Sequence, residues 1–97
     1  MSFPHNDSVD RLFDSFLSLK NREECYQYFE DLCTVKEVLS MAQRLDVAHL
    51  LLEGESYLAV SDETGVSSAT VGRVKRCLEY GSGGYRTMLD RMKENEK

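Results

Sequence analysis

Apolar residues recur along this chain at intervals of three and four, and no stretch alternates long enough to predict a strand. In residues 7–20, DSVDRLFDSFLSLK, the positions Val9, Leu12, Phe13, Phe16, Leu17 and Leu19 follow that recurrence. This predicts an amphipathic helix. Asn6, Asp7 or Ser8 can cap it, and the acids at 7 and 10 suit a helix N-terminus. Asn21 breaks the pattern, and residues 22–32 resume it with a stripe of Tyr26, Phe29, Leu32 and Cys33. Thr34 then reads as an N-cap, with Glu37 three positions on completing a capping box. A third helix is predicted over 35–53, closed by Gly54. Its apolar residues are Val35, Val38, Leu39, Met41, Ala42, Leu45, Val47, Ala48, Leu50, Leu51 and Leu52, too wide a band for one packing face. A helix apolar over most of its circumference is buried on several sides. In a chain this short, that predicts a core shared by two copies.

Two short helices follow, one from 55 or 56 to 64 and one over 67–80, with Gly65 between them. GSGG at 81–84 reads as a hinge that sets a last helix over 85–93, with Tyr85, Met88, Leu89 and Met92 on one face. The tail ENEK is expected to fray. The expected fold is all-α, with five to six helices in a single domain over 1–97. Residues 1–54 form a dimerisation core, 55–80 a helix-turn-helix, and 83–95 the C-terminal helix.

Composition narrows the function classes. The 97 residues are 41% hydrophobic and 30% charged, as in a globular, soluble protein. No apolar run approaches the roughly 18–20 residues that span a bilayer. The start, MSFPHNDSVD, lacks the basic and apolar regions of a signal peptide, so a cytoplasmic location is expected. Cys25, Cys33 and Cys77 form no C-x-x-C pair, and neither His5 nor His49 lies at metal-ligand spacing from them. Free thiols and no metal are expected. The net charge is −5, but unevenly spread: residues 1–55 carry −6 and residues 56–97 carry +1. Residues 66–78 hold Arg73, Lys75 and Arg76 and no acid, a local imbalance that suits an anionic partner.

That cationic segment contains the run GVSSATVGRVK at 65–75. A helix-turn-helix needs a small residue where two helices cross, a glycine in the turn, and apolar residues that pin the second helix. Ser61, Gly65 and the series Val71, Val74, Leu78 supply these, with Val60 and Val66 inside and Thr64 offering its methyl to an apolar site. Ser67 caps the second helix, with Thr70 three later in place of a glutamate. The other face carries Ser68, Ala69, Gly72, Arg73 and Arg76, small enough at its N-terminal end to enter a major groove about 12 Å wide. Arg73 suits guanine or phosphate, and Lys75 and Arg76 suit phosphate. Double-stranded DNA is the expected partner, through Ser67, Ser68, Ala69, Thr70, Gly72, Arg73, Lys75 and Arg76. Gly72 is costly inside a helix, by about 1 kcal/mol against alanine. Close approach of DNA, a small ligand or a neighbouring helix would explain it.

The stretch 32–92, with Arg44, Gly54 and Glu55 as R-x9-G-E and Gly65, Thr70, Val71 and Arg73 as G-x4-T-V-x-R, resembles the tryptophan repressor family, in particular its YerC/YecD-type Trp-repressor-like group. The resemblance implies an intertwined homodimer in which the first three helices of both chains build the core. It also implies two DNA-reading heads about 34 Å apart on a pseudo-palindromic operator, and so a sequence-specific transcriptional regulator of the repressor kind. In that family an effector lies between two arginines, whose places fall on Arg44 and Arg73, and Thr34, Thr70 and Cys77 fall on further pocket positions. Two departures speak against tryptophan as corepressor. The family's glycine after the recognition-helix arginine is Val74 here, and its serine three further on is Cys77, a poorer hydrogen-bond partner. No cofactor is expected, and an unknown small-molecule effector stays open. Arg44 has a plainer role open to it, snorkelling or pairing with an acid. A helical dimer that binds protein and not DNA is the alternative function, suggested by the acidic first half and the aromatic segment 26–29. An enzyme is not expected, for GSGG lacks the strand and lysine of a phosphate loop.

Overall fold

The computed structural model describes residues 3–96, and all regular structure among them is helical: α1 Asp7–Leu17, α2 Arg22–Leu32, α3 Val35–Leu52, α4 Tyr57–Thr64, α5 Ser68–Tyr80 and α6 Gly84–Asn95. No helix among them is long and apolar enough to cross a membrane. The chain divides into two compact units, one ending at Val35 and the other starting at Lys36.

The first unit is the α1–α2 hairpin. Asn6 caps α1 by accepting from the Val9 amide at 2.9 Å, and Asn21 caps α2 by accepting from Glu24 at 2.9 Å. α1 stops at Leu17, three residues short of the expected end at 20. The cause lies across the turn: the Lys20 amide donates to the Glu24 carboxylate at 2.9 Å, and Ser18 and Leu19 close the helix with tighter bonds to Ser15 and Phe16. Phe16 stacks on Phe29 with centroids 5.3 Å apart and meets Tyr28 edge-on, while the Ser15 and Tyr28 hydroxyls share a 2.7 Å hydrogen bond. No residue of α1 or α2 is buried. A unit of this size with no interior lacks the burial that stabilises a domain by itself.

The second unit holds the core. Val47 and Ala48 of α3, Val60 of α4, Val66 of the turn, and Val71 and Val74 of α5 are buried together. Leu50, Leu51, Leu78, Tyr85 and Leu89 pack around them. Five valines and an alanine fill little volume, so the helices can approach closely. α3 ends one residue before the expected limit. Gly54, at φ 94°, donates to Leu51 at 3.1 Å and Glu55 donates to Leu50 at 3.2 Å, the double bond of a Schellman ending. α3 is not buried all round within one chain. Val47 and Ala48 alone are enclosed, while Val35 stays 77% exposed and Leu39 59%.

The turn between α4 and α5 is built by side chains. Ser56 caps α4 and Ser67 caps α5, accepting from Ala59 and Thr70 respectively. Gly65 sits at φ 73°, where a side chain would be strained, and its amide reaches the Ser61 carbonyl at 2.9 Å. The Ser61 hydroxyl donates to the Val66 carbonyl at 2.7 Å. Thr64 contributes more than a methyl, because its hydroxyl donates to Val60 at 2.7 Å and accepts from the Val66 amide at 3.2 Å. Replacing Ser61 by alanine takes the partner from the Val66 carbonyl in a half-buried turn. A loss of about 1 kcal/mol in urea denaturation is expected.

α6 begins at Gly84, one residue earlier than predicted, and runs to Asn95, through half of the tail expected to fray; Lys97 lies outside the described residues. Of its predicted apolar face, Tyr85 and Leu89 reach the core, whereas Met88 and Met92 remain about half exposed. Arg86 donates through Nε to the Leu78 carbonyl at 3.3 Å, tying α6 to the last turn of α5.

Candidate nucleic-acid interface

α5 points Val71, Val74 and Leu78 into the core. The opposite face is therefore exposed. Ser67, Ser68, Ala69, Arg73 and Arg76 lie open to solvent, with Thr70 and Gly72 half-buried at the margins. Neither Arg73 nor Arg76 joins an ion pair among the described residues, so both guanidinium groups are available to an external anion. The small side chains of the first turn follow the Ser67 cap directly. The Ser67 hydroxyl also donates to Thr70 Oγ1 at 3.2 Å.

Lys75, expected to meet phosphate beside Arg76, has its ammonium 5.1 Å from the centre of the Tyr57 ring and 3.8 Å from the Glu79 carboxylate. Tyr57 is the residue that sequence reading missed. It opens α4 and is 41% exposed. The available signal was a large aromatic placed at the start of a short helix, where solvent exposure calls for none. The same ring faces Gly72: a Cβ built there would meet Tyr57 Cε2 at 3.9 Å, an ordinary contact. Among the described residues, no neighbour requires a glycine at that position.

The residues matched to an effector pocket are distributed as follows. Thr34 precedes α3 and belongs to the first unit, while Arg44, Arg73 and Cys77 belong to the second. Arg44 is exposed, and its Nε donates weakly to the Ser40 carbonyl one turn back, at 3.4 Å. Cys77 is exposed. Val74 is only 2% exposed, with its methyls in the helix-turn-helix core.

Two acids of the second unit, Glu53 and Glu63, lie near Glu55. Partial desolvation, the charge of Glu63, a hydrogen bond with the Glu63 carboxyl and the charge of Glu53 together raise the Glu55 pKa above its ordinary 4.5, with His49 pulling the other way. A carboxyl whose pKa is higher in the folded state favours folding while protonated. That contribution is full below the unfolded value and is lost as pH rises through the folded one. Glu55→Gln is therefore expected to match wild type in thermal melts below pH 4.5 and to melt higher at pH 7.

Residues 7–93 match the family described as Trp repressor protein. The chain is 57% identical over 88 residues to the uncharacterised protein YerC of Bacillus subtilis (strain 168), covering 91% of this chain and 85% of the relative. A crystal structure described as a candidate Trp repressor from Staphylococcus aureus superposes with a TM-score of 0.89 at 49% identity, covering 92% of this chain and 89% of the other. A TrpR-like protein from Eubacterium eligens ATCC 27750 follows with a TM-score of 0.87 at 45% identity, covering 90% of each. The two solved structures share the fold of this chain. The chain belongs to the Trp repressor family, as a YerC-type member.

Proposed function

We propose that the chain is a cytoplasmic, homodimeric, sequence-specific DNA-binding transcriptional regulator of the repressor type, reading the major groove with α5. One observation carries the reading: the apolar side of α5 is wholly engaged in the core, while Arg73 and Arg76 stand exposed and unpaired on the other. Family membership supports it. The dimer is supported by the bare apolar residues of α3 and by an α1–α2 hairpin whose helices have no buried residue, both of which a second copy would cover. Two heads then present four arginines to an operator with half-sites about 34 Å apart. Tryptophan is not the effector in this reading. Val74 fills the place of the family's glycine, and Cys77 offers a weak hydrogen-bond partner.

A net charge of −5 per chain confines attraction to the reading face, so affinity should depend steeply on salt. Fluorescence anisotropy with a random-sequence duplex tests this. With about four phosphates neutralised per dimer, affinity is expected to fall on the order of 100-fold between 50 and 200 mM salt, with or without tryptophan. Absence of binding at 50 mM would overturn the reading.

A further inference from the structure

α5 carries a single acid, Glu79, in its last turn. Helix electrostatics do not account for it. A carboxylate near a C-terminus opposes the helix dipole, and lysine followed by glutamate four residues later is the weaker order for an ion pair. Yet the Glu79 carboxylate stands 3.8 Å from the Lys75 ammonium, with both side chains a little under half exposed. From α4, Tyr57 holds the same ammonium over its ring. Two elements thus converge on one cation at the edge of the recognition surface, beside the exposed Arg76 that has no such partner.

Resting on the DNA-reading function proposed above, we propose that Tyr57 and Glu79 are positioning residues for Lys75, and that Glu79 lowers nonspecific affinity by masking this cation. Tyr57 fixes where the ammonium sits. Glu79 neutralises it until a phosphate comes close enough to take its place. Loose electrostatic encounter gains little from a masked charge, because the carboxylate must first be displaced. Close docking, with α5 seated in the groove, brings the phosphate near enough to do so. The arrangement therefore favours specific over nonspecific complexes.

The test is a mutant cycle read in anisotropy against random-sequence duplex at three salt concentrations. Glu79→Gln is expected to bind about three- to tenfold tighter at 50 mM salt, with a log–log salt slope steeper by about 1–2 for two heads. Lys75→Met should remove that gain when combined with Glu79→Gln. A gain that persists without Lys75 would mean general repulsion of DNA by Glu79 and would overturn the proposal, as would an unchanged Glu79→Gln affinity. A second readout needs no DNA. In proton NMR, the Lys75 side-chain methylenes should show an upfield ring-current shift that survives Tyr57→Phe and disappears in Tyr57→Leu. Its absence from the wild type would overturn the role of Tyr57. If wild type and every variant fail to bind DNA, the DNA-reading function falls and this proposal with it. If wild type binds and the cycle is flat, only the proposal falls.

Discussion

Replacing Arg73 and Arg76 together by alanine is expected to lower DNA affinity on the order of 100-fold or more at 100 mM salt, and to flatten the salt dependence. Both side chains are exposed and outside any ion pair among the described residues, so the substitution removes external contacts and little else. Stability should stay within about 0.5 kcal/mol, as for surface changes generally, and the dimer should survive. In a two-headed complex the double variant lacks four cations. Each released counterion contributes about 0.9 to the log–log slope, so a drop of about 3–4 is expected if all four meet phosphate. A smaller drop with an equal loss of affinity would assign part of the pair to base edges. Arg73→Lys separates these roles. A phosphate contact tolerates lysine, whereas a forked contact to guanine does not and costs about 1–3 kcal/mol at that base. A double variant that binds DNA like wild type would refute α5 as the reading element and favour a protein-binding dimer.

The fold was legible where capping chemistry was local. Asn21 and Ser67 each accept from an amide three residues on, and the starts of α2 and α5 follow from that. The end of α1 was not legible. Periodicity continues through Leu19, but the competing bond from Lys20 to Glu24 crosses a turn, and spacing alone does not weigh it. The core of the helix-turn-helix was readable residue by residue, since Val60, Val66, Val71 and Val74 are all enclosed. On the exposed face of α5, Arg73 and Arg76 could be placed from the positions of those valines. Lys75 could not, because its partner Tyr57 lies eighteen positions upstream on another helix. The breadth of apolar surface on α3 was visible too, but one chain encloses only Val47 and Ala48 of it. A periodic pattern records which residues avoid water without recording which molecule covers them.

Two glycines of α5 and its cap should respond to alanine in opposite directions, although they look alike in sequence. A Cβ at Gly81 would collide with the Cys77 carbonyl oxygen and stand 3.2 Å from its carbon. These are backbone atoms, and they cannot give way freely. The Gly81 amide donates to that same oxygen at 2.9 Å, and Arg86 ties the neighbouring Leu78 carbonyl to α6. Gly81→Ala must therefore open the end of α5, at a cost of about 1–3 kcal/mol typical of overpacking. For a chain of this length that lowers the melting temperature by roughly 4–8 °C per kcal/mol. Gly72 is the reverse case. It sits in mid-helix with ordinary van der Waals room for a methyl beside Tyr57, so Gly72→Ala should stabilise the free protein by about 0.5–1 kcal/mol. The same methyl would stand on the face proposed to meet DNA. If close approach of the duplex is why glycine stands there, Gly72→Ala will melt higher and bind DNA more weakly. Unimpaired binding by the stabilised variant would show that DNA does not press on this position, and would leave the glycine to another cause.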